Sequence, residues 1–443
     1  MSNRFMAVPF RSGARVALLA LWLTACGLTD VDAPDVVQPS QVLTPDGAKA
    51  LRVAAVSQLY GDVVLGVDGV PQEGGFASDE LIAGNASGPD QALDARRLVG
   101  DPQIFYVSMH QVRVTLLQAI AAFQKYPSLL PQAYIGEMFA LIGVVETYFG
   151  ETFCSGVPLS TYANGVPQYG NSLTTEQMFQ HAIADFDSAL AYAADSTRFL
   201  DLARVGRARA LLDLGRFDDA ASAVALVPTN FLRNAEAAAF SLQANGIGLN
   251  QSNLYDGVAD KKGVNGLDYI SAADPRIQVQ LVGPAADGTP VYLYVPYANG
   301  DSPVPIASGI EARLIEAEAE LHNGAVAQWL ATLNALRTDG TQTAGVYNPG
   351  TGGVAGLAPL VDPGTADTRV SLMFRERAFW LFFTGHRLGD LRRLVRQYGR
   401  PQNTVFPVGP YKTSGAFGDA VNLPIPSGEN PNPNFHGCLD RNP

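Results

Sequence analysis

Between Arg375 and Leu394 the chain reads RERAFWLFFTGHRLGDLRRL, with charged side chains crowding an apolar run. Arg375, Glu376 and Arg377 stand one turn before the aromatics; His386, Arg387, Asp390 and Arg393 follow directly after them. Two chemistries suit such a set. One is a site of perturbed acids and bases that acts on a ligand. The other is a structural knot of ion pairs. Charges this close to a core must be paired, because removing one partner costs roughly 3–5 kcal/mol. That requirement favours the knot.

Elsewhere the signs of catalysis are sparse. The five histidines are His110, His181, His322, His386 and His436, and neither H-E-x-x-H nor G-x-S-x-G occurs. Cysteine spacing fits no zinc pattern. Gly350 to Ala355 loosely fits a dinucleotide fingerprint, but no strand precedes it and no helix opens there. A glycosidase carboxylate pair is spatial, so spacing leaves it open. No acid stands in a context that singles it out. The expectation is a protein that is not an enzyme and uses no cofactor or metal. Binding is the better class. Glycan recognition calls for flat aromatic faces with polar groups nearby. Tyr292 and Tyr294 share one face of an alternating strand, VYLYV, and are the candidate ligand residues. Phe76, Tyr255, Tyr269, Tyr347 and Tyr411 sit in other loops, where packing is the commoner role.

The elements that position these residues read as helices. Phe374, Ala378, Leu381 and Phe382 recur at helical spacing, with Phe379, Trp380 and Phe383 on the flanks, so this helix is expected to be wrapped nearly all round. A second, amphipathic helix follows a joint at Gly385. Upstream, Thr44-Pro45-Asp46 opens a helix with Pro in its first turn. Long helices are expected from Pro102 to Tyr126 and from Pro131 to Gly150. Thr174 to Gln177 is a capping box. Residues 203–228 and 310–337 each read as a tetratricopeptide-like helix pair, turning at Leu214-Gly215 and at Asn323-Gly324. The stretch 61–100 reads as a long loop with a helical piece near Asp79 to Ile82. An insertion at about 229–306 is the least helical part, and residues 399–443 are turn-rich.

The N-terminus is read as an address. Arg4, Arg11 and Arg15 precede a short apolar run, Val16 to Leu23, which is too short to span a bilayer. Leu23-Thr24-Ala25-Cys26 resembles a bacterial lipobox. Residues 1–25 are then a signal peptide, Cys26 carries lipid, and 26–44 form a polar tether to one domain over 45–443. Gly27 follows the cysteine, so the inner-membrane retention signal is missing and outer-membrane sorting is expected. The net charge of −12 offers no basic stripe for nucleic acid. In an exported chain the two remaining cysteines, Cys154 and Cys438, are expected to pair.

The run E-R-x-x-F-aromatic followed by G-H-R-x-x-D-L-R-R resembles the C-terminal signature of the SusD/RagB family. Its matching positions are Glu376, Arg377, Phe379, Gly385, His386, Arg387, Asp390, Leu391, Arg392 and Arg393. Two further stretches share the resemblance. One is the turn after the second long helix, through Tyr148, Gly150, Gly156, Val157 and Pro158. The other is the ending, through Leu423, Pro424, Ile425, Pro426, Glu429, Asn432 and Pro433. The resemblance implies a mostly α fold of tetratricopeptide-like pairs with long irregular loops and a few short strands. It implies a cell-surface, nutrient-binding lipoprotein, probing glycans above all, seated on a SusC-like TonB-dependent transporter. On that reading the helical side docks the barrel, and loops 61–100, 229–306 and 338–365 meet the ligand. An envelope scaffold that binds protein partners is the alternative.

Overall fold

The computed structural model describes residues 44–85, 88–97, 103–163, 166–193, 195–340, 354, 357–413 and 415–443. Residues 1–25, read above as a signal peptide, Cys26, nearly all of the expected tether, Tyr347 and most of Gly350 to Ala355 lie outside them.

Helices dominate. In chain order the longer ones are α1 (Pro45–Gln58), α2 (Val70–Ala77), α3 (Gln103–Gln124), α4 (Ala133–Thr152), α5 (Thr175–Tyr192), α6 (Thr197–Asp213), α7 (Phe217–Val224), α8 (Gly309–His322), α9 (Val326–Thr338), α10 (Ala366–Trp380) and α11 (Arg387–Arg396). Their starts follow from local chemistry. The Thr44 side chain accepts from the Gly47 N–H at 3.0 Å ahead of Pro45. The Thr174/Gln177 capping box opens α5. Asp218 and Asp219 occupy the first turn of α7, where the helix dipole favours them.

The helices stack as antiparallel neighbours. Helices α4 and α5 pack together, α6 packs on both, and the α6–α7 and α8–α9 pairs join through α7 and α8. Gly215 and Gly324 turn the two pairs at φ of +72° and +73°, a conformation that suits glycine. Close approach uses glycine too. Cβ atoms at Gly143 on α4 and Gly206 on α6 would each fall within 3 Å of the Phe186 ring, so α5 lies against both helices through that ring.

Strands are short. Each described sheet is a two-stranded antiparallel pair. Three of the five pairs draw on the insertion: 81–83 with 256–258, 304–308 with 232–235, and 279–284 with 290–294.

Two expectations fail locally. The piece near Asp79 to Ile82 is not helical. Leu81–Ala83 is a strand, because Asp256–Val258 from the insertion supplies its partner, while short helices form on either side at 70–77 and 88–94. The aromatic helix also stops early. It ends at Trp380, and Leu381 to Thr384 form a turn with Phe383 at φ +57° and Gly385 at φ +81°. Tertiary bonding explains the break: the Phe383 N–H donates to Glu80 Oε1 at 2.9 Å, and Phe382 packs on Tyr269 and Tyr294. These contacts outweigh the residues' helical spacing.

Candidate functional site

The charges of the C-terminal signature are buried and matched. Asp390 is gripped from two sides, by Arg377 Nε at 2.9 Å and by Arg393 Nη2 at 2.9 Å. Glu318 on α8 takes both terminal nitrogens of Arg393 and the Tyr398 hydroxyl at 2.7 Å. Glu376 sits between Arg276 at 2.8 Å and Arg337 at 2.7 Å. Arg387 makes a two-pronged contact with Asp79 at 2.6 and 2.9 Å. His386 Nε2 lies 3.0 Å from Glu311. Burial alone would raise the Asp390 carboxyl; the two guanidiniums outweigh it and hold the group well below the usual carboxylate range. Burial, then Arg209, push the His386 imidazole down, so it is neutral near pH 7. These groups spend most of their hydrogen-bonding capacity on one another, although Arg377 Nη1 has no partner among the described residues. Arg375 is set apart from the buried set: it pairs with Asp268 at 2.6 Å, and both side chains are 34% exposed.

Cys154 and Cys438 are joined by a disulfide, with Cα atoms 5.7 Å apart. The bond lies beside a short splice of the tail onto the body: the Ser155 N–H donates to Asp440 O, and the Leu439 N–H to Ser155 O.

The candidate tyrosines separate. Tyr294 is only 3% exposed, with its ring edge-on to Tyr297 and Phe382 at 5.0 Å each. It is a core residue and not a ligand platform, because strand alternation marks a shared face without saying which face meets solvent. Tyr292 is half-buried opposite Leu281 in the 279–294 hairpin. Phe76, Tyr269 and Tyr411 are buried as well, whereas Tyr255 is 45% exposed.

Exposed aromatic faces also occur beside α3. A cleft of about 570 Å³ opens between α3, the 161–168 hairpin and the 426–432 strip. Tyr162 and Tyr169 stand in it 60% and 45% exposed. Gln58, Gln111, Gln118, Thr115 and Thr161 offer amide and hydroxyl groups around them. The floor is rigid. The Tyr106 hydroxyl donates to Glu429 Oε1 at 2.9 Å, and the His110 ring lies 4.6 Å from Tyr106 and 4.5 Å from Phe149. Burial, helped by Arg113, pushes His110 down to about 3, so it too is uncharged near pH 7. Asn432 ties the strip to Gly170 O at 3.0 Å. Flat rings above a fixed, hydrogen-bonding floor suit a polyhydroxylated ligand. The sequence held one clue: Asn164-Gly165 between TYA and VPQ is an Asn-Gly hairpin signal, which would have put these tyrosines on an exposed turn. The cleft lies off loops 61–100, 229–306 and 338–365, where the resemblance placed the ligand.

No protein-family model matches the chain, and no curated protein matches it. Solved structures do. A SusD superfamily protein from Parabacteroides distasonis superposes with a TM-score of 0.63 at 14% identity, over 89% of this chain and 98% of that one. A SusD/RagB family protein from Bacteroides thetaiotaomicron gives 0.63 at 11% identity, over 87% and 94%. Surface glycan-binding protein A from Bacteroides thetaiotaomicron, solved in complex with laminarihexaose, gives 0.62 at 12% identity, over 89% and 99%. The chain shares its fold with these solved structures.

Proposed function

We propose that this chain is a SusD/RagB-type surface lipoprotein, anchored to the outer membrane through Cys26, that binds a glycan and delivers it to a SusC-like TonB-dependent transporter. The observation that carries the binding step is the cleft with Tyr162 and Tyr169 exposed over a polar, rigid floor. Stacking on the rings would hold sugar faces, and the surrounding amides would read hydroxyls. The fold shared with a protein solved around laminarihexaose supports a carbohydrate ligand. Binding without turnover is the better reading: the acids of the C-terminal signature and their partners are locked to arginines, and Glu429, the carboxylate of the cleft, is held by the Tyr106 hydroxyl. Among the described residues no helix is long and apolar enough to cross a membrane, which accords with a lipid anchor.

The test is affinity electrophoresis of the chain lacking residues 1–25 against a panel of soluble polysaccharides that includes laminarin. Retention by at least one, with no reducing ends released, supports the reading. If every polysaccharide fails and the full-length lipoprotein does not co-purify with a large outer-membrane barrel, the reading is wrong.

A further inference from the structure

An acidic pocket sits at the start of α2. Asp68 lies in the turn before the helix, Glu73 in its first turn, and Asp90 in the first turn of the 88–94 helix. One carboxylate oxygen from each lies within 4.8 Å of the other two. Asp68 and Asp90 are half-buried at the rim, whereas Glu73 is 9% exposed. Glu73 is the telling residue. Among the described residues no cation pairs with its side chain and no group donates a hydrogen bond to it. The charges acting on it are those of Asp90 and Asp68, both of its own sign.

A carboxylate nine-tenths buried, without a donor and facing two more carboxylates, must be neutralised by a proton or by a cation. The rim acids make the cation the better partner, since they reach solvent and offer two further carboxylates around a shared centre. The donor set is all oxygen, which selects a hard ion over zinc or copper. Two calcium–oxygen bonds of about 2.3–2.6 Å cover any separation within that limit, and calcium accepts the irregular oxygen geometry of a turn and two helix starts more readily than magnesium, which demands a near-ideal octahedron. We propose that Asp68, Glu73 and Asp90 bind a divalent cation of calcium's size, which ties the turn before α2 to the 88–94 helix. That tie bears on the core. The segment between the two helices carries Asp79, the partner of Arg387, and the 88–94 helix ends at Asp94, 2.6 Å from Lys262. The proposal does not depend on the glycan reading.

The test uses the whole mature chain, stripped with EDTA and titrated with CaCl2, with MgCl2 in parallel. Calorimetry should show a single site, and about 1 mM CaCl2 should raise Tm by at least about 2 °C, with magnesium doing less. Asp68→Asn combined with Asp90→Asn should abolish the shift. That variant should fold, because it relieves like-charge repulsion at two half-buried positions. Equal calcium shifts in variant and wild type, or no heat and no shift in wild type, overturn the proposal. Glu73→Gln separates the two ways of neutralising the pocket. If a proton suffices, this variant matches wild type both in EDTA and in calcium, and the cation is excluded. If the cation is bound, the variant loses the calcium response.

Discussion

Arg393 holds Glu318 with both terminal nitrogens, at 2.6 and 2.9 Å, across 75 residues of chain, and their side chains are 2% and 0% exposed. The same guanidinium reaches Asp390 and lies 5.1 Å over the Phe374 ring. It therefore joins α8, α10 and α11 at one point. Arg393→Ala would leave Glu318 and Asp390 buried with fewer partners, and should cost about 3–5 kcal/mol. Arg393→Lys should recover only part of that, because an ammonium cannot make the two-pronged contact. Urea unfolding followed by far-UV circular dichroism measures both. A loss below about 1 kcal/mol for the alanine variant would show that the pair is not what holds these helices together.

A second prediction concerns pH, and its sign comes from acids whose pKa is raised. Glu80 is fully buried; its Oε1 accepts from the Phe383 N–H, and its Oε2 has no hydrogen-bond partner. Burial pushes it up to about 8, and burial likewise lifts Asp256 to about 7. A folded-state pKa above the unfolded one gives stability that is complete below the unfolded value and is lost as pH rises through the folded value. Tm should therefore fall between about pH 6.5 and pH 8. Groups held low act in the opposite sense: the acids Asp79 and Asp390 only below about pH 4, and the buried imidazoles His110 and His386 up to about pH 6.5, so above that the raised acids set the trend. Glu80→Gln should flatten the slope. A Tm that stays level or climbs across this window would contradict the assignment.

The disulfide makes a third. Cys154 and Cys438 are 284 residues apart, so in the chain-entropy account their bond restricts the unfolded chain by roughly 5 kcal/mol. Backbone bonds of Ser155 to Asp440 and Leu439 hold the same tail without it. Replacing both cysteines with alanine should lower Tm sharply while leaving the secondary structure intact, and should expose residues beyond about 430 to limited proteolysis. Non-reducing peptide mapping of exported protein checks the bond itself: recovery of both residues as thiols ends this argument.

What could be read from the sequence, and what could not, follows from the range of the interactions. Helical periodicity, the Thr174 capping box and the Gly215 and Gly324 turns are local, and each appears where the spacing puts it. The charges around Asp390 were conspicuous because they interrupt an apolar run. Their partners were not: Asp79 lies 308 residues from Arg387 and Arg276 lies 100 from Glu376, and no spacing encodes such pairings. The turn at Leu381 to Thr384 was hidden for the same reason, since Glu80 and Tyr269 impose it from elsewhere in the chain. For Tyr294, alternation gave the strand but not the solvent side. Tyr162 and Tyr169 lie just past the turn that follows the second long helix, and only Asn164-Gly165 marks their hairpin, a signal for a turn and not for which rings face solvent.

Those two tyrosines give the last prediction. They are exposed, so removing a ring should leave folding alone and change only what the cleft can hold. Tyr162→Ala and Tyr169→Ala should each weaken binding of a retained polysaccharide about 3- to 10-fold, in keeping with about 0.5–1.5 kcal/mol for an aromatic contact, with Tm unchanged. The loss should be larger in the double variant if one chain of sugars spans both rings. Tyr292→Ala serves as the comparison, since that ring lies on a different hairpin. Calorimetry with the best polysaccharide of the panel gives the affinities. If the double variant binds as tightly as wild type while Tyr292→Ala does not, the ligand sits on the insertion face and the cleft against α3 is not its site.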